Sequence, residues 1–258
     1  LECRLTSDGI AVDSNGYVYV HPLDTSPNPS QSIIKRIIPS STSSTPSVTA
    51  FAGGDQGYAD GNGTSAKFQW SVCMIFDSND NLYTTDSDRI RKVTPNGDVT
   101  TFLNDTNNEG YRSIVFDSQG NMFISTYSTS RILKYVPSSG SLTAFAGIGD
   151  GYNDGNGTSE ARFYKPSKMV IDSNDNLYVA DNYSRIRKIT PQGYVTTIAG
   201  PTSQLSNGST ERGYVDDYGN TARFDWTSSV DVSLAIDSND NLYVGERSQN
   251  RIRKIDLN

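Results

Sequence analysis

The chain is poor in the residue types from which catalytic and metal centres are usually built. It has one histidine, His21, and two cysteines, Cys3 and Cys73, among 258 residues. A histidine-rich zinc site cannot be assembled from one histidine, and a Ser-His-Asp triad would have to use His21 in a chain without a nucleophile-elbow motif. We therefore predict a protein that is not an enzyme, with no catalytic residues, no metal centre and no cofactor.

Positive charge and long apolar runs are also scarce. The chain has 22 Lys and Arg against 29 Asp and Glu, which gives a formal net charge of −7 and a pI near 4.7. Binding to nucleic acid needs a positive surface, and a membrane-spanning helix needs about 18 or more apolar residues in a row. Neither feature is found, so we predict no nucleic-acid partner and no membrane insertion.

The sequence does contain internal repeats, of which residues 167–200 are the clearest copy. This copy reads as four short strands separated by polar turns, and it recurs around the residues Asp13, Asp77, Asp117, Asp172 and Asp237. Four strands per repeat are typical of the blades of a β-propeller. We predict an all-β, single-domain propeller over residues 1–258, with five blades at about 7–53, 71–104, 110–147, 166–200 and 230–258.

The repeats also carry a family resemblance. Residues 171–200 contain Ile-Asp-Ser-Asn-Asp-Asn-Leu-Tyr-Val-Ala-Asp, Arg-Ile-Arg-Lys-Ile and Val-Thr-Thr-Ile-Ala-Gly, which together resemble the NHL repeat. The connectors at 57–68, 151–163 and 213–224 share a Gly-Tyr-x-Asp…Ala-[Lys/Arg]-Phe pattern that is similar to the linkers of extracellular NHL arrays. The resemblance implies an NHL-type propeller and leaves the activity open, because propellers support many unrelated functions.

Three repeats pair an acidic residue at the end of the second strand with an arginine at the start of the third. The first repeat has Pro22 and Ile33 at these positions, and the third repeat keeps Arg131 opposite Thr126. Joint loss in the first repeat favours a structural salt bridge, with a ring of substrate-binding arginines as the alternative. The predicted pairs are Asp86 with Arg89, Asp181 with Arg185, and Glu246 with Arg251.

Long loops are expected on the face that carries the connections between blades, so a binding site is predicted there. Trp70, Tyr164 and Trp226 precede a first strand in three repeats, where they would stack on a sugar or a partner side chain, or else pack between blades. The Asp-Gly-rich connectors are predicted to be polar loops, with calcium binding by their oxygen ligands as the alternative. The Asp-Ser-Asn-Asp-Asn runs are predicted to be hairpin turns.

Five Asn-x-[Ser/Thr] sequons predict glycosylation if the protein is secreted. They lie at Asn62, Asn104, Asn156, Asn182 and Asn207. We therefore expect an extracellular or cell-surface protein.

These features favour an extracellular recognition or assembly module that contacts a protein partner or copies of itself. Two alternatives remain open: a carbohydrate-binding, lectin-like propeller, which a glycan array would reveal, and a calcium-dependent lactonase or esterase, which would need acidic and amide side chains converging on a metal ion.

The fifth repeat ends with the segment 251–258, which corresponds to a third strand. A counterpart of the outer strand at 195–200 is not found after it. Residues 7–9 are too few to carry the N-terminal segment across three strand spacings, so we expect either further blade sequence or a neighbouring molecule to cover this edge.

Overall fold

The structure is a computed structural model, and it describes residues 9–21, 31–39, 45–69, 71–182, 184–202, 212–226 and 232–257. Five small antiparallel sheets follow one another along the chain, and each sheet is built from consecutive strands. This confirms the predicted all-β fold class, a β-propeller with five blades. The chain divides into two compact units, residues 1–114 and 115–258, and the division falls within one strand of blade three.

The first unit contains blades one and two. Blade one has the strand order β1-β2-β3-β4, and blade two is a five-stranded sheet of order β5-β9-β8-β7-β6. The strands of blade one are β1 (Gly9–Val12), β2 (Val18–His21), β3 (Ile34–Ile38) and β4 (Ser47–Ala52). Those of blade two are β5 (Gly61–Asn62), β6 (Ser71–Phe76), β7 (Leu82–Asp86), β8 (Arg89–Val93) and β9 (Asp98–Asn104).

Blades three to five follow in chain order, and blade four repeats the five-stranded order of blade two. Blade three has β10 (Tyr111–Phe116), which contains the division, then β11 (Met122–Thr126), β12 (Arg131–Val136) and β13 (Ser141–Ala146). Blade four has β14 (Gly155–Asn156), β15 (Met169–Ile171), β16 (Leu177–Asp181), β17 (Arg185–Ile189) and β18 (Tyr194–Ala199). Blade five has β19 (Val232–Ile236), β20 (Leu242–Glu246) and β21 (Arg251–Ile255).

The turn between the first two strands of a blade is organised by its leading aspartate. In blade two, the Asp77 carboxylate accepts hydrogen bonds from the backbone N–H groups of Asn79 and Asn81 at 2.9 Å each. Asp80 in the same turn has φ of +56°, which an Asp tolerates better than most residues. The Asp-Ser-Asn-Asp-Asn run therefore forms the turn that its sequence predicts.

A side-chain contact, here called the serine clasp, joins this turn to the turn of the next blade within each unit. Ser118 in blade three donates from its backbone N–H to Asp175 in blade four at 2.9 Å, and its hydroxyl donates to the other carboxylate oxygen at 2.6 Å. The same two bonds link Ser14 to Asp80 and Ser173 to Asp240. The last aspartate of the turn thus fastens one blade to its neighbour.

Apolar clusters lie between adjacent blades of each unit. In the first unit, Tyr19 and Ile34 of blade one belong to one cluster with Leu82 and Val93 of blade two. In the second unit, Tyr178 of blade four packs in one cluster with blade-five residues. Among the described residues, no helix combines the length and the apolar composition that crossing a membrane requires.

Candidate functional site

The connectors at 57–68, 151–163 and 213–224, here called the linkers, run against the blade that follows them. In blades two and four the linker contributes a two-residue strand that pairs with the outermost strand of the sheet: β5 with β9, and β14 with β18. These two linkers therefore pair with the outer edge of the blade before the chain enters the inner strand.

A buried arginine holds the first linker to blade two. Arg91 donates from Nη1 to Asp86 at the end of β7, at 3.0 Å, and from Nη2 to Asp60 in the linker, at 2.8 Å. The same two nitrogens donate to the backbone carbonyls of Lys67 and Ala59. The guanidinium fork thus spans from the strand to both ends of the linker.

Blade four contains the same arrangement. Arg187 donates to Asp181 at 2.9 Å and to Asp154 at 2.7 Å, together with the carbonyls of Arg162 and Asn153. The side chains of Arg187 and Asp181 are fully buried, so both charges depend on each other for compensation.

Blade five repeats it with a longer glutamate. Arg253 lies 3.5 Å from Glu246 and 2.7 Å from Asp216, and it donates to the carbonyls of Arg223 and Val215. Arg91, Arg187 and Arg253 are called the latch arginines below.

A second arginine in each blade stacks on the tyrosine of the linker. The guanidinium carbon lies 3.7 Å from the ring centroid for Arg89 over Tyr58, and 3.6 Å for Arg251 over Tyr214. In blade four, Arg185 lies 5.1 Å from the centroid of Tyr152. Cation–π contacts of this kind hold an aromatic ring in place by the attraction between the guanidinium charge and the ring quadrupole.

The three stacked tyrosines are exposed although their arginines are held in the blade. Tyr58, Tyr152 and Tyr214 expose 47%, 37% and 48% of their surface. Each linker therefore carries its own candidate functional site, an exposed aromatic contact residue.

The outer strand of the blade gives the linker a further anchor. Asp60 accepts a hydrogen bond from the Thr101 hydroxyl of β9 at 3.1 Å. In blade four, Asp154 accepts from both the backbone N–H and the hydroxyl of Thr197 in β18, at 2.9 Å each. The linker aspartate thus connects the latch arginine to the outermost strand.

Electrostatics differ between buried and exposed members of these clusters. Burial raises the pKa of Asp181, although the neighbouring Arg187 and Arg185 lower it. The hydrogen bond from the Tyr214 hydroxyl lowers the pKa of the exposed Asp216 and raises that of Tyr214 itself. Burial therefore disfavours the charged form of Asp181, whereas the hydrogen bond from Tyr214 favours the charged form of Asp216.

The structure shows ion pairs between the carboxylates at the end of the second strands and the latch arginines. The predicted partners, Arg89, Arg185 and Arg251, lie two residues earlier in the same strands. The physical reason is that residues i and i+2 of a strand lie on the same face of the sheet, so the second arginine reaches the carboxylate diagonally. Asp86 and Arg89 are opposite each other in the register of β7 and β8, but the Arg89 guanidinium stacks on Tyr58. Arg185 still contributes to the electrostatics of Asp181.

The three aromatic residues predicted to bind a ligand have different positions. Trp226 is fully buried, contacts Phe224, and donates from its indole nitrogen to the Asp181 carbonyl at 3.2 Å. Its predicted role in ligand stacking is therefore wrong, because no ring face is accessible. Tyr164 is half-buried beside the Lys165 ammonium, and Trp70 lies outside the described residues.

The predicted glycan acceptors also differ in exposure. Asn62, Asn104 and Asn156 are exposed, whereas Asn182 is 4% exposed and Ser184 of its sequon is fully buried. The folded chain therefore does not present Asn182 for glycosylation. Asn207 lies outside the described residues.

Sequence reasoning missed the latch arginines and the linker tyrosines. The signal was present as Arg-x-Arg at the start of the third strand and Tyr-x-Asp in the linker, both in the same three repeats. The carboxylates of Asp60 and Asp154, which lie in the connectors for which calcium binding was the alternative, form ion pairs with Arg91 and Arg187. In the part of the chain that the structure describes, no group of three His, Cys, Asp or Glu residues is placed to hold a metal ion.

Comparison with known proteins agrees with this geometry. The repeated antiparallel blades and the linkers between them are those of a β-propeller. A family model described as the teneurin NHL domain matches residues 56–210, which include the first two linkers. The chain belongs to this family.

Similar proteins include one curated relative and many solved structures. Teneurin-3 of Danio rerio is 26% identical over 166 residues, which cover 58% of this chain and 6% of Teneurin-3. An auxiliary nutrient binding protein from Bacteroides ovatus has 23% identity and a TM-score of 0.67, over 97% of this chain and 58% of that one. A streptogramin B lyase has 12% identity and a TM-score of 0.57, over 98% of this chain and 71% of that one. Both structural likenesses show the fold alone.

Proposed function

We propose that this chain is a non-catalytic extracellular recognition or assembly module, which contacts partner proteins or copies of itself through its three linkers. The observation that carries the proposal is the repeated pairing of an exposed linker tyrosine with an arginine held in the blade. A tyrosine supplies a large contact area with an apolar ring and a polar hydroxyl, which suits it to protein interfaces.

Pre-organisation supports the same proposal. Each latch arginine bonds one carboxylate at the end of the second strand of the blade, and one carboxylate and two backbone carbonyls of the linker, so the linker is ordered before any partner arrives. Binding to a surface that is already ordered costs less conformational entropy than binding to a mobile loop. Long connections fixed on a rigid scaffold are common recognition elements.

Membership of the teneurin NHL family supports protein–protein contact and a cell-surface or extracellular location in general terms. The exposed sequons at Asn62 and Asn156 fit that location, and we propose that both carry glycans. Calcium binding at the linkers stays a lesser alternative, as does a hydrolase or lyase activity.

Carbohydrate binding is the second candidate, because exposed aromatic rings also stack on sugars. The test below distinguishes carbohydrate binding from protein binding.

The test uses the chain tetramerised on streptavidin and applied to cells of the tissue that produces it. We expect saturable binding that surface proteolysis abolishes and that enzymatic removal of N-glycans preserves. A variant combining Tyr58→Ser, Tyr152→Ser and Tyr214→Ser is expected to bind at least about tenfold more weakly, since aromatic anchors dominate interface energies. Tyr194→Ser, at an exposed tyrosine of β18, is the matched control and is expected to bind normally.

Two results would contradict the proposal. Binding that resists proteolysis and is lost with the glycans would identify a lectin. Absence of cell binding by the wild-type tetramer would exclude binding to a partner protein. If sedimentation also shows a monomer at high concentration, self-assembly is excluded as well.

A further inference from the structure

Lys165, which lies between the second linker and β15, has an unusual backbone conformation for its residue type. Its φ is +51°, in the left-handed region. The other non-glycine residues with positive φ in the described chain are all Asp, Asn or Ser, of which Asp and Asn tolerate this region best. Pro166 follows and restricts the backbone of Lys165 further. Strained residues of this kind cluster at functional sites.

Buried side chains hold this strained backbone in place. The Ser130 hydroxyl of blade three accepts a hydrogen bond from the backbone N–H of Lys165 at 3.0 Å, and it donates in turn to Asp150 beside the second linker. The preceding residue, Tyr164, donates from its backbone N–H to Asp181 at 3.1 Å. Ser130 and Asp181 are fully buried, so the position of Lys165 is fixed from both sides.

Two tyrosines hold the ammonium group of Lys165. Its Nζ lies 4.9 Å from the ring centroid of Tyr127 and 5.3 Å from that of Tyr164, and all three residues are half-buried. Hydrogen bonding with Tyr127, and more weakly with Tyr164, raises the pKa of Lys165, so its positive charge persists. An ammonium has three N–H donors, and the two tyrosines therefore leave one donor for a further acceptor.

The equivalent position in blade five shows that a lysine is not needed for packing between blades. Lys165 lies two residues after the linker residue Phe163, and Trp226 lies two residues after Phe224. Trp226 is fully buried and bonds the preceding blade through its indole nitrogen. Among the described residues, the groups that raise the pKa of Lys165 are tyrosines, and no carboxylate pairs with its ammonium.

We propose that Lys165, together with Tyr127 and Tyr164, binds a carboxylate side chain in an acidic peptide segment of a partner protein. This deepens the proposed function, on which it rests, by naming the chemistry that the partner supplies. A single ammonium donor matches the single charge of a carboxylate, whereas a phosphate monoester carries more charge and three acceptor oxygens. The tyrosines add aromatic contact area beside the charge.

The probe is a fluorescent hexapeptide of alternating Glu and Ser, added to the full 258-residue chain. The net charge of −7 opposes an acidic peptide at long range, so the titration is done at physiological ionic strength, where the screening length is about 8 Å. We expect saturable binding by anisotropy, with NMR amide shifts at Tyr127 and Lys165. The peptide with Gln in place of Glu is expected not to bind.

Lys165→Asn removes the ammonium and suits a positive φ, so the variant is expected to fold with a urea midpoint no lower than that of the wild type. We expect it to bind the acidic peptide at least about tenfold more weakly, because a charge-assisted hydrogen bond is lost. The matched control is Lys168→Asn, which makes the same charge change at another half-buried lysine three residues later. It is expected to leave peptide binding unchanged.

Equal binding of the Glu and Gln peptides, or equal effects of Lys165→Asn and Lys168→Asn, would overturn the proposal. A lower urea midpoint for Lys165→Asn would assign the lysine to packing and count against it. Tighter binding of a sulfated oligosaccharide than of the Glu peptide would replace the carboxylate with a different ligand. The peptide titration uses no cells and no tyrosine variant of the linkers, so this proposal and the proposed function fail separately.

Discussion

Blades four and five have the same linker pattern and the same latch, but blade four has five strands whereas the described part of blade five has three. In blade four, β18 covers the third strand, and Thr197 of β18 donates to the linker residue Asp154. In blade five, the described sheet ends at β21, where Ile252 is exposed. The comparison separates the contribution of the latch arginine to linker position from the contribution of the outer strand to burial of the third strand.

The latch forms without the outer strand. Arg253 reaches Glu246, Asp216 and two linker carbonyls although no strand lies outside β21 in the described residues. The linker is therefore positioned mainly by the arginine. The outer strand adds burial of the third strand and a second bond to the linker aspartate.

The largest expected effect comes from removing the latch in blade four, where the arginine and the strand-end carboxylate are both fully buried. Arg187→Met leaves the fully buried Asp181 without its closest cation, and breaking a buried ion pair costs about 3–5 kcal/mol. We expect a loss of this size in the free energy of unfolding, measured by urea denaturation and tryptophan fluorescence.

Arg253→Met is the matched variant in blade five. Its pair with Glu246 is longer, at 3.5 Å, and the Arg253 side chain is 9% exposed, so we expect a loss of about half that size. Equal losses in the two blades would show that the outer strand does not strengthen the latch.

A second comparison concerns the isoleucine of the third strand. Ile186→Ala removes buried methyl groups beneath β18 and is expected to cost about 2–4 kcal/mol. Ile252→Ala changes an exposed residue and is expected to stay within about 0.5 kcal/mol. Thermal and urea unfolding of the two variants measure the difference. A large loss for Ile252→Ala in the isolated chain would mean that something already covers β21.

The smallest expected effect on stability concerns the turn between β19 and β20 of blade five, which Asp237 organises. Hydrogen bonds, chiefly from the Asn241 side chain, lower the pKa of Asp237 to about 2. A carboxylate with a lowered pKa stabilises the fold above its unfolded pKa of about 3.9, and this contribution is lost as the pH falls through the folded value. Asp237→Asn should therefore be less stable than the wild type at pH 7, and the two should converge between about pH 4 and pH 2.

Urea midpoints across this range measure the convergence. Tyr243→Phe, which removes one donor to Asp237 and keeps its charge, is expected to show a smaller change of the same sign. A gap between Asp237→Asn and wild type that persists unchanged at pH 2 would assign the effect to packing and not to charge.

The sequence was enough to predict the blades because their turns are local. The hydrogen bonds that form an Asp-Ser-Asn-Asp-Asn turn lie within five residues of sequence. The flanking strands are recognisable from the alternation of apolar and polar residues.

The latch was harder to predict because its members are far apart in the sequence. Arg89 and Arg91 lie on the same face of β8, so strand periodicity does not say which one meets Asp86. The deciding group is Asp60, 31 positions before Arg91, and only the path of the linker brings it there. Burial of Trp226 likewise depends on the neighbouring blade, which local sequence does not encode.

The serine clasp has a consequence for how such a chain grows. In blade four, Ser173 donates to the following blade while Asp175 accepts from the preceding one, and both residues belong to a single five-residue turn. A duplicated copy of this blade would arrive with a donor for its successor and an acceptor for its predecessor. Gly16 and Gly120 stand at the acceptor position in blades one and three, which therefore lack that carboxylate. Gene duplication of blade four would extend the series without any new mutation at the junction, whereas a copy of blade three would need one.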